Sequence, residues 1–319
     1  TEGDIALYRA MTGNRFAQYS SAEFANASGL PGLCIDPLHA FHVVFGKSVP
    51  DISLNAVANL GYADGRFFLP VKPGDTLNTV SKVIGIKENS NGKTGVVWVR
   101  TTGFNQRGET VMSFVRWVMV NKFEMDNPTP EPVLPDLPAA VPAGELTGYP
   151  DMKTWDMALA GSPHTFGDYA VGEKINHVDG MTVEEAEHQI ATRLYQNTAK
   201  VHFDAHGQKD SRFGKRLIYG GVVISIARAL AFNGLANAGQ MLAINAGSHV
   251  SPLFAGDTIY AWSEVLDKAD LSDTCGALRL RLVAVKDQDP GAFAYKDDAG
   301  KYVSGVLLDF DYWAAIPKR

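Results

Sequence analysis

Cysteine is nearly absent: Cys34 and Cys275 are the only two in 319 residues. That excludes a disulfide framework and a four-cysteine metal site, and suits a reducing cytoplasm. Long apolar runs are missing as well. The most apolar stretch, Gly220 to Phe232, is interrupted by Arg228 and falls short of the ~20 residues a membrane-crossing helix needs. No polybasic tract of the kind that holds nucleic acid or anionic lipid occurs, and 29 Lys and Arg against 35 Asp and Glu leave a formal charge of -6. No charged-then-apolar signal pattern follows Thr1. A Gly-x-Gly-x-x-Gly after a strand and a Walker loop are also lacking, which argues against nucleotide-dependent redox chemistry and phosphoryl transfer. A soluble protein is expected, with neither nucleic acid nor membrane as partner.

What is present is globular. Hydrophobic residues make up 45% and charged residues 20%, enough apolar material to offset the entropy of ordering the chain. At ~150 residues per domain the length predicts two domains. Proline places the boundary: Pro128, Pro130, Pro132, Pro135, Pro138, Pro142 and Pro150 fall in one stretch, a density that no helix or central strand tolerates. The expected organisation is an N-terminal unit at 1–126, an extended Pro-rich linker at 127–150, and a C-terminal unit at 151–319.

The two units resemble each other. The segment from Gly65 to Leu77 aligns without gaps to that from Gly247 to Ile259, and Gly65, Pro70, Gly74, Asp75 and Thr76 recur as Gly247, Pro252, Gly256, Asp257 and Thr258. Such a turn grammar marks an internal duplication. After each Gly-Asp-Thr come three strand-like runs rich in β-branched and aromatic residues: Leu77 to Ile86, Gly95 to Thr102 and Thr110 to Val120, then Ile259 to Asp267, Ala277 to Val285 and Val303 to Ala314. Before each lies an apolar helical segment. The second runs from about Gly220 to Leu235, with Ile224, Ala227, Arg228 and Ala231 at helical spacing; the first begins near Leu38. One helix against a long, curved antiparallel sheet, present twice, predicts an α+β double hot-dog.

The chemistry-bearing residues concentrate in the second unit. Thr182 and Glu185 have the spacing of a capping box opening a helix. That helix leads into Tyr195-Gln-Asn-Thr-Ala-Lys-Val-His-Phe-Asp204 and, after a basic loop, Tyr219-Gly-Gly221. His39 and His42, three apart on the first helical segment, form a second candidate group, but no third ligand stands at metal-binding spacing and no metal site is expected. His249 aligns with Phe67 at the repeated turn.

On these residues the chain resembles the MaoC-like dehydratase family. That family shows an acidic residue, four intervening residues and His-x-Asp, then a His-Gly-Met opening the central helix. The matching positions here are Asn197, His202, Asp204 and Tyr219-Gly220-Gly221, with Asn replacing the acid and Tyr the histidine. Leu194 to Ala205, Arg216 to Gly221 and the Pro-rich link are most similar to its mesaconyl-CoA hydratase branch, also called β-methylmalyl-CoA dehydratase.

The resemblance implies a hydro-lyase that reversibly adds water to mesaconyl-CoA in an acyl-CoA carbon-assimilation route, with no cofactor beyond the CoA of the substrate. His202 is then the candidate for proton transfer, Asn197 for orienting water, and Asp204 for orienting or charge-stabilising His202. The backbone N–H groups of Gly220 and Gly221 are candidates for the thioester oxygen, with Tyr219 adding a hydroxyl. Among Lys200, Lys209, Arg212, Lys215 and Arg216, cations for the CoA phosphates and the substrate carboxylate are expected. The first unit is read as a degenerate copy that shapes the pocket, and the whole as a cytoplasmic homo-oligomer. Three other activities fit the same pattern: an (R)-specific 2-enoyl-CoA hydratase, a hot-dog acyl-CoA thioesterase, and a silent acyl-CoA binder.

Overall fold

The structure, a computed structural model, describes residues 1–54, 56–293 and 295–319. Among these residues the strands form one antiparallel sheet. The first unit supplies β1 (Ala56–Phe67), β2 (Asn78–Glu88), β3 (Thr94–Phe104) and β4 (Thr110–Asn121). The second supplies β5 (Lys174–Thr182), β6 (Gln240–His249), β7 (Thr258–Asp270), β8 (Cys275–Lys286) and β9 (Val306–Pro317). Their order is β2-β3-β4-β1-β6-β9-β8-β7-β5, so the halves join where β1 pairs with β6.

The runs expected after each Gly-Asp-Thr are β2 to β4 and β7 to β9. Three strands, β1, β5 and β6, are additions to the expected set. β1 and β6 are rich in Ala, Gly and Asn, residues of low strand propensity, and packing explains their composition. A Cβ on Gly61 would meet Trp117 at 2.3 Å, and one on Gly247 would meet Tyr62 at 2.8 Å. Tyr62 lies opposite Gly247 and Gly65 opposite Ile244, so the aligned glycines are disposed symmetrically about the junction.

The repeated turn is built twice from the same bonds. The Lys72 N–H donates to Asp75 at 2.9 Å, as does Phe254 N–H to Asp257. Gly74 and Gly256 both follow with positive φ, 96° and 93°, a conformation favouring glycine. Ile35 N–H donates to the Val71 carbonyl and Ile218 N–H to that of Leu253, which ties each turn to the start of its central helix.

The helices that matter for the site are α1 (Glu2–Thr12), α2 (Pro37–Lys47), α3 (Glu185–Leu194), the single turn α4 (Lys200–Phe203), and α5 (Gly220–Leu230). The central pair, α2 and α5, cross at His42 and Ser225, whose side chains bond at 2.9 Å. Helix α5 is buried from Gly221 to Leu230. It stops short of the expected Leu235 because Asn233 and Gly234 leave helical geometry, and the Asn233 amide is held by the His177 carbonyl and Asp179. The cap of α3 also differs from expectation: Glu184 and Glu187 form the box, whereas Thr182 ends β5 and bonds Thr258. Helix α1 is a further addition, although the Thr1/Asp4 capping box and the apolar spacing of Ile5, Tyr8 and Met11 signal it.

The Pro-rich segment has one isolated bridge, Val133 to Ile86, and one 3-10 turn, Ala143–Glu145. It packs back on the sheet: Val141 N–H donates to Asn245, and Trp313 donates to the Val141 carbonyl.

Helix α2 also fixes where the loop before His202 begins, since a Cβ on Gly46 would lie 1.8 Å from the Tyr195 carbonyl oxygen. Backbone cannot yield as a side-chain tip does. Gly46→Ala is therefore expected to cost about 3 kcal/mol, at the upper end of overpacking effects. The denaturant midpoint checks this; an unchanged midpoint would show that the two segments separate freely.

Candidate active site

His202, on α4, is half-buried, and its Nδ1 lies 3.0 Å from the Leu217 carbonyl. A carbonyl only accepts, so Nδ1 carries the proton and Nε2 has the free lone pair. Burial lowers its pKa to about 4, leaving the imidazole neutral at ordinary pH. The ring lies 5.3 Å from that of Tyr219 and 6.3 Å from that of His188.

Tyr219 and Gly220 begin α5. The Tyr219 N–H donates to His188 Nε2 at 2.9 Å, and no side chain caps the helix start. The Gly220 and Gly221 N–H groups are thus first-turn donors of the kind a helix leaves unpaired and electropositive. A Cβ on Gly220 would come within 2.4 Å of the His249 ring, and one on Gly221 within 2.7 Å of His42 Nδ1, so only glycine fits undisturbed. His249 bonds the Tyr62 hydroxyl at 3.1 Å, across the junction between the units. His202, Gly220 and His249 are all partly open, whereas Tyr219, Tyr195, Tyr62 and His42 are buried.

Several buried polar atoms here lack a protein partner: the Tyr219 and Tyr195 hydroxyls, Nδ1 of His39 and of His42, and Nε of Arg116. Buried groups of this kind take a water, an ion or a ligand as partner. Asn197 is buried, and its Oδ1 accepts from the Ala199 N–H. Burial is the main cause of the raised Tyr219 pKa, and Asn197 opposes it slightly.

Other expected residues are not brought to this point. Asp204 turns away from His202 and caps Gly207 N–H at 2.9 Å; the Leu217 carbonyl orients the histidine instead. Arg216 is engaged by Glu185 and Gln189. Arg212 lies over the Phe213 ring and Lys215 over that of Phe254, on the exposed loop. His249, expected only to align with Phe67, stands at the helix start. No group of three or more His, Cys, Asp or Glu suited to a metal occurs among the described residues.

The first unit has the same frame with different chemistry. Asp36 occupies the place of Tyr219, and its carboxylate caps Leu38 N–H at 2.8 Å, so this helix start is closed by its own side chain. A mainly apolar recess lined by Ile35, Pro37, Ala40, Phe67 and Met112 lies here, away from His202.

The whole chain is similar to known proteins. The MaoC like domain matches residues 1–104. The mesaconyl-CoA hydratase of Cereibacter sphaeroides is 61% identical, covering 99% of this chain and 92% of that one. The chain belongs to the MaoC-like dehydratase family. Another relative, the beta-methylmalyl-CoA dehydratase of Chloroflexus aurantiacus, is 56% identical over 100% of this chain and 92% of its own. A solved MaoC domain protein from that organism superposes with a TM-score of 0.97 over 100% of this chain and 92% of that chain, at 56% identity. A Mycobacterium tuberculosis protein with a double hot-dog fold gives 0.76 over 98% and 92%, at 26% identity. The double hot-dog expected from the repeat is the fold of this MaoC-like chain.

Its histidines make a pH signature. Burial holds His39, His177, His188, His202 and His249 near 4, below the ~6.5 of a free imidazole. Between those values the unfolded chain takes up protons that the folded chain refuses. Stability is therefore full above pH ~6.5 and falls as pH drops toward 4. Melting temperature should decline through that window; a flat profile would contradict the buried neutral state.

Proposed function

We propose that this protein reversibly adds water across the double bond of mesaconyl-CoA to give β-methylmalyl-CoA. The observation that carries the reading is the uncapped start of α5 flanked by three neutral histidines, His188, His202 and His249. The relatives named mesaconyl-CoA hydratase and beta-methylmalyl-CoA dehydratase support the substrate.

In this reading the thioester oxygen accepts from Gly220 and Gly221 N–H, which stabilise the negative charge gained during addition. Water is held between His202 Nε2 and the Asn197 amide. Its oxygen bonds to the β-carbon while its proton moves to Nε2, and the enolate is then neutralised by a proton at the α-carbon. An imidazolium of pKa about 4 gives its proton up readily, so His202 returns what it took and ends the turnover neutral. Tyr219 lines the pocket with its unpartnered hydroxyl. These steps need no group beyond the chain and its thioester.

The exposed cations Lys200, Lys209, Arg212 and Lys215 fit the CoA phosphates. Free, buried Cys34 and Cys275 suit the cytoplasm. Apolar Val80, Val83 and Ile86 exposed on edge strand β2 suit a homo-oligomer.

Purified protein with mesaconyl-CoA should lose the enoyl absorbance and gain the mass of one water, without free thiol. Thiol release would make it a thioesterase, and an unchanged thioester would sink the hydratase reading. His202→Ala should reduce kcat at least about a hundredfold while the circular dichroism spectrum stays native. Retained turnover would remove His202 from the mechanism. The acidic limb of the kcat/KM profile should fall near pH 4; a limb near ~6.5, as for an unperturbed imidazole, would mean that another group is the base.

A further inference from the structure

Arg116 of β4 is 1% exposed and has no carboxylate within ion-pairing distance among the described residues. Its bonds are all to neutral groups in the segment after α2: the Ser53 hydroxyl at 3.0 Å, the Ser48 hydroxyl at 3.0 Å and the Ser48 carbonyl at 3.4 Å. Nε has no partner. A buried guanidinium is costly unless it is paired, so a missing counter-charge calls for an explanation.

Its surroundings are those of the active site. Arg116 is the register partner of Tyr62, which bonds His249 beside Gly220. Its guanidinium lies 4.2 Å from the centre of the Phe45 ring, which is 5.9 Å from that of Tyr219. Its charge acts on both tyrosine hydroxyls, opposing the rise that burial causes.

The pseudo-symmetric half provides the comparison. There Arg228 of α5 lies over Tyr312, which pairs with Ile244 on β6 as Arg116 pairs with Tyr62 on β1. Arg228 also has no close ion pair; burial raises the Asp36 pKa to about 6, against the Leu38 N–H and the charge of Arg228, which favour its ionised form. Asp36 is the positional counterpart of Tyr219. The helix start that Arg228 acts on thus has a carboxylate, Asp36, while the one that Arg116 acts on has a phenol, Tyr219. What the second half lacks is one carboxylate.

We propose that the free carboxylate of the substrate supplies it: Arg116 binds that group and selects a dicarboxylic enoyl thioester over a neutral one. This rests on the hydratase reading above. Nη1 and Nη2 are already held by Ser53 and Ser48, so the unpartnered Nε–H is the donor left for a carboxylate, and the charge on the guanidinium strengthens that bond. A neutral acyl chain would leave the charge uncompensated, so selection acts against such substrates as well as for the acid.

The test compares mesaconyl-CoA with tiglyl-CoA, which has a methyl where the acid has its distal carboxylate. In Arg116→Met, kcat/KM for mesaconyl-CoA should fall about a hundredfold, mainly through KM, while tiglyl-CoA hydration stays within about threefold. Arg116→Lys keeps the charge without the Nε–H and should lose about tenfold on the acid alone, which decides the question if the Met variant does not fold. Equal losses on both substrates would make Arg116 structural and overturn the proposal, as would an unchanged preference for the acid. If the wild-type protein leaves both thioesters intact, the hydratase reading itself fails.

Discussion

The pairing of β1 with β6 is the constraint on which the site depends. With Tyr62 opposite Gly247 and Gly65 opposite Ile244, it relates the two units by a local two-fold. That relation brings α2 and α5 together at His42 and Ser225 and sets Tyr62 of one unit against His249 of the other. A one-residue slip would turn every side chain of one strand to the opposite face and break those meetings. The start of α5 is therefore walled by residues that neither unit assembles alone.

Within that frame the halves have diverged. At one helix start, Asp36 supplies a carboxylate that closes the N–H donors. At the other, Tyr219 leaves the donors open and sits among histidines that burial keeps neutral. Neutrality matters for the chemistry: a protonated His202 could not accept a proton, and its tautomer is decided by the Leu217 carbonyl. In the proposed mechanism the second half supplies the acid–base groups, while Tyr62 and His42 of the first stand against His249 and Ser225 of the second.

The repeat, the central helices and the six outer runs are legible in the sequence because local pattern and tertiary position agree there. β1 and β6 are not, since the close approaches that demand Gly and Ala are invisible until partners are known. The Gly220 helix can be read from spacing, whereas His202 and Asn197 are singled out by the family resemblance. Asp204 cannot be oriented that way, because a residue two positions from His202 on an extended segment is not so placed on a helical turn. His249 and Arg116 are hidden for another reason: their significance comes from residues far away in the chain, and the basic loop is the more visible source of charge.

The Pro-rich segment is more than a spacer. It is anchored across the sheet through Val141, Asn245 and Trp313, and it holds both halves in one covalent chain. Pairing of β1 with β6 is therefore unimolecular, and the shared site forms in dilute solution as readily as in concentrated solution. In a symmetric pair of identical subunits, any change needed on one wall would appear on the other as well. Here a substitution enters once, which is how one two-fold frame can carry a carboxylate at one helix start and a phenol at the other.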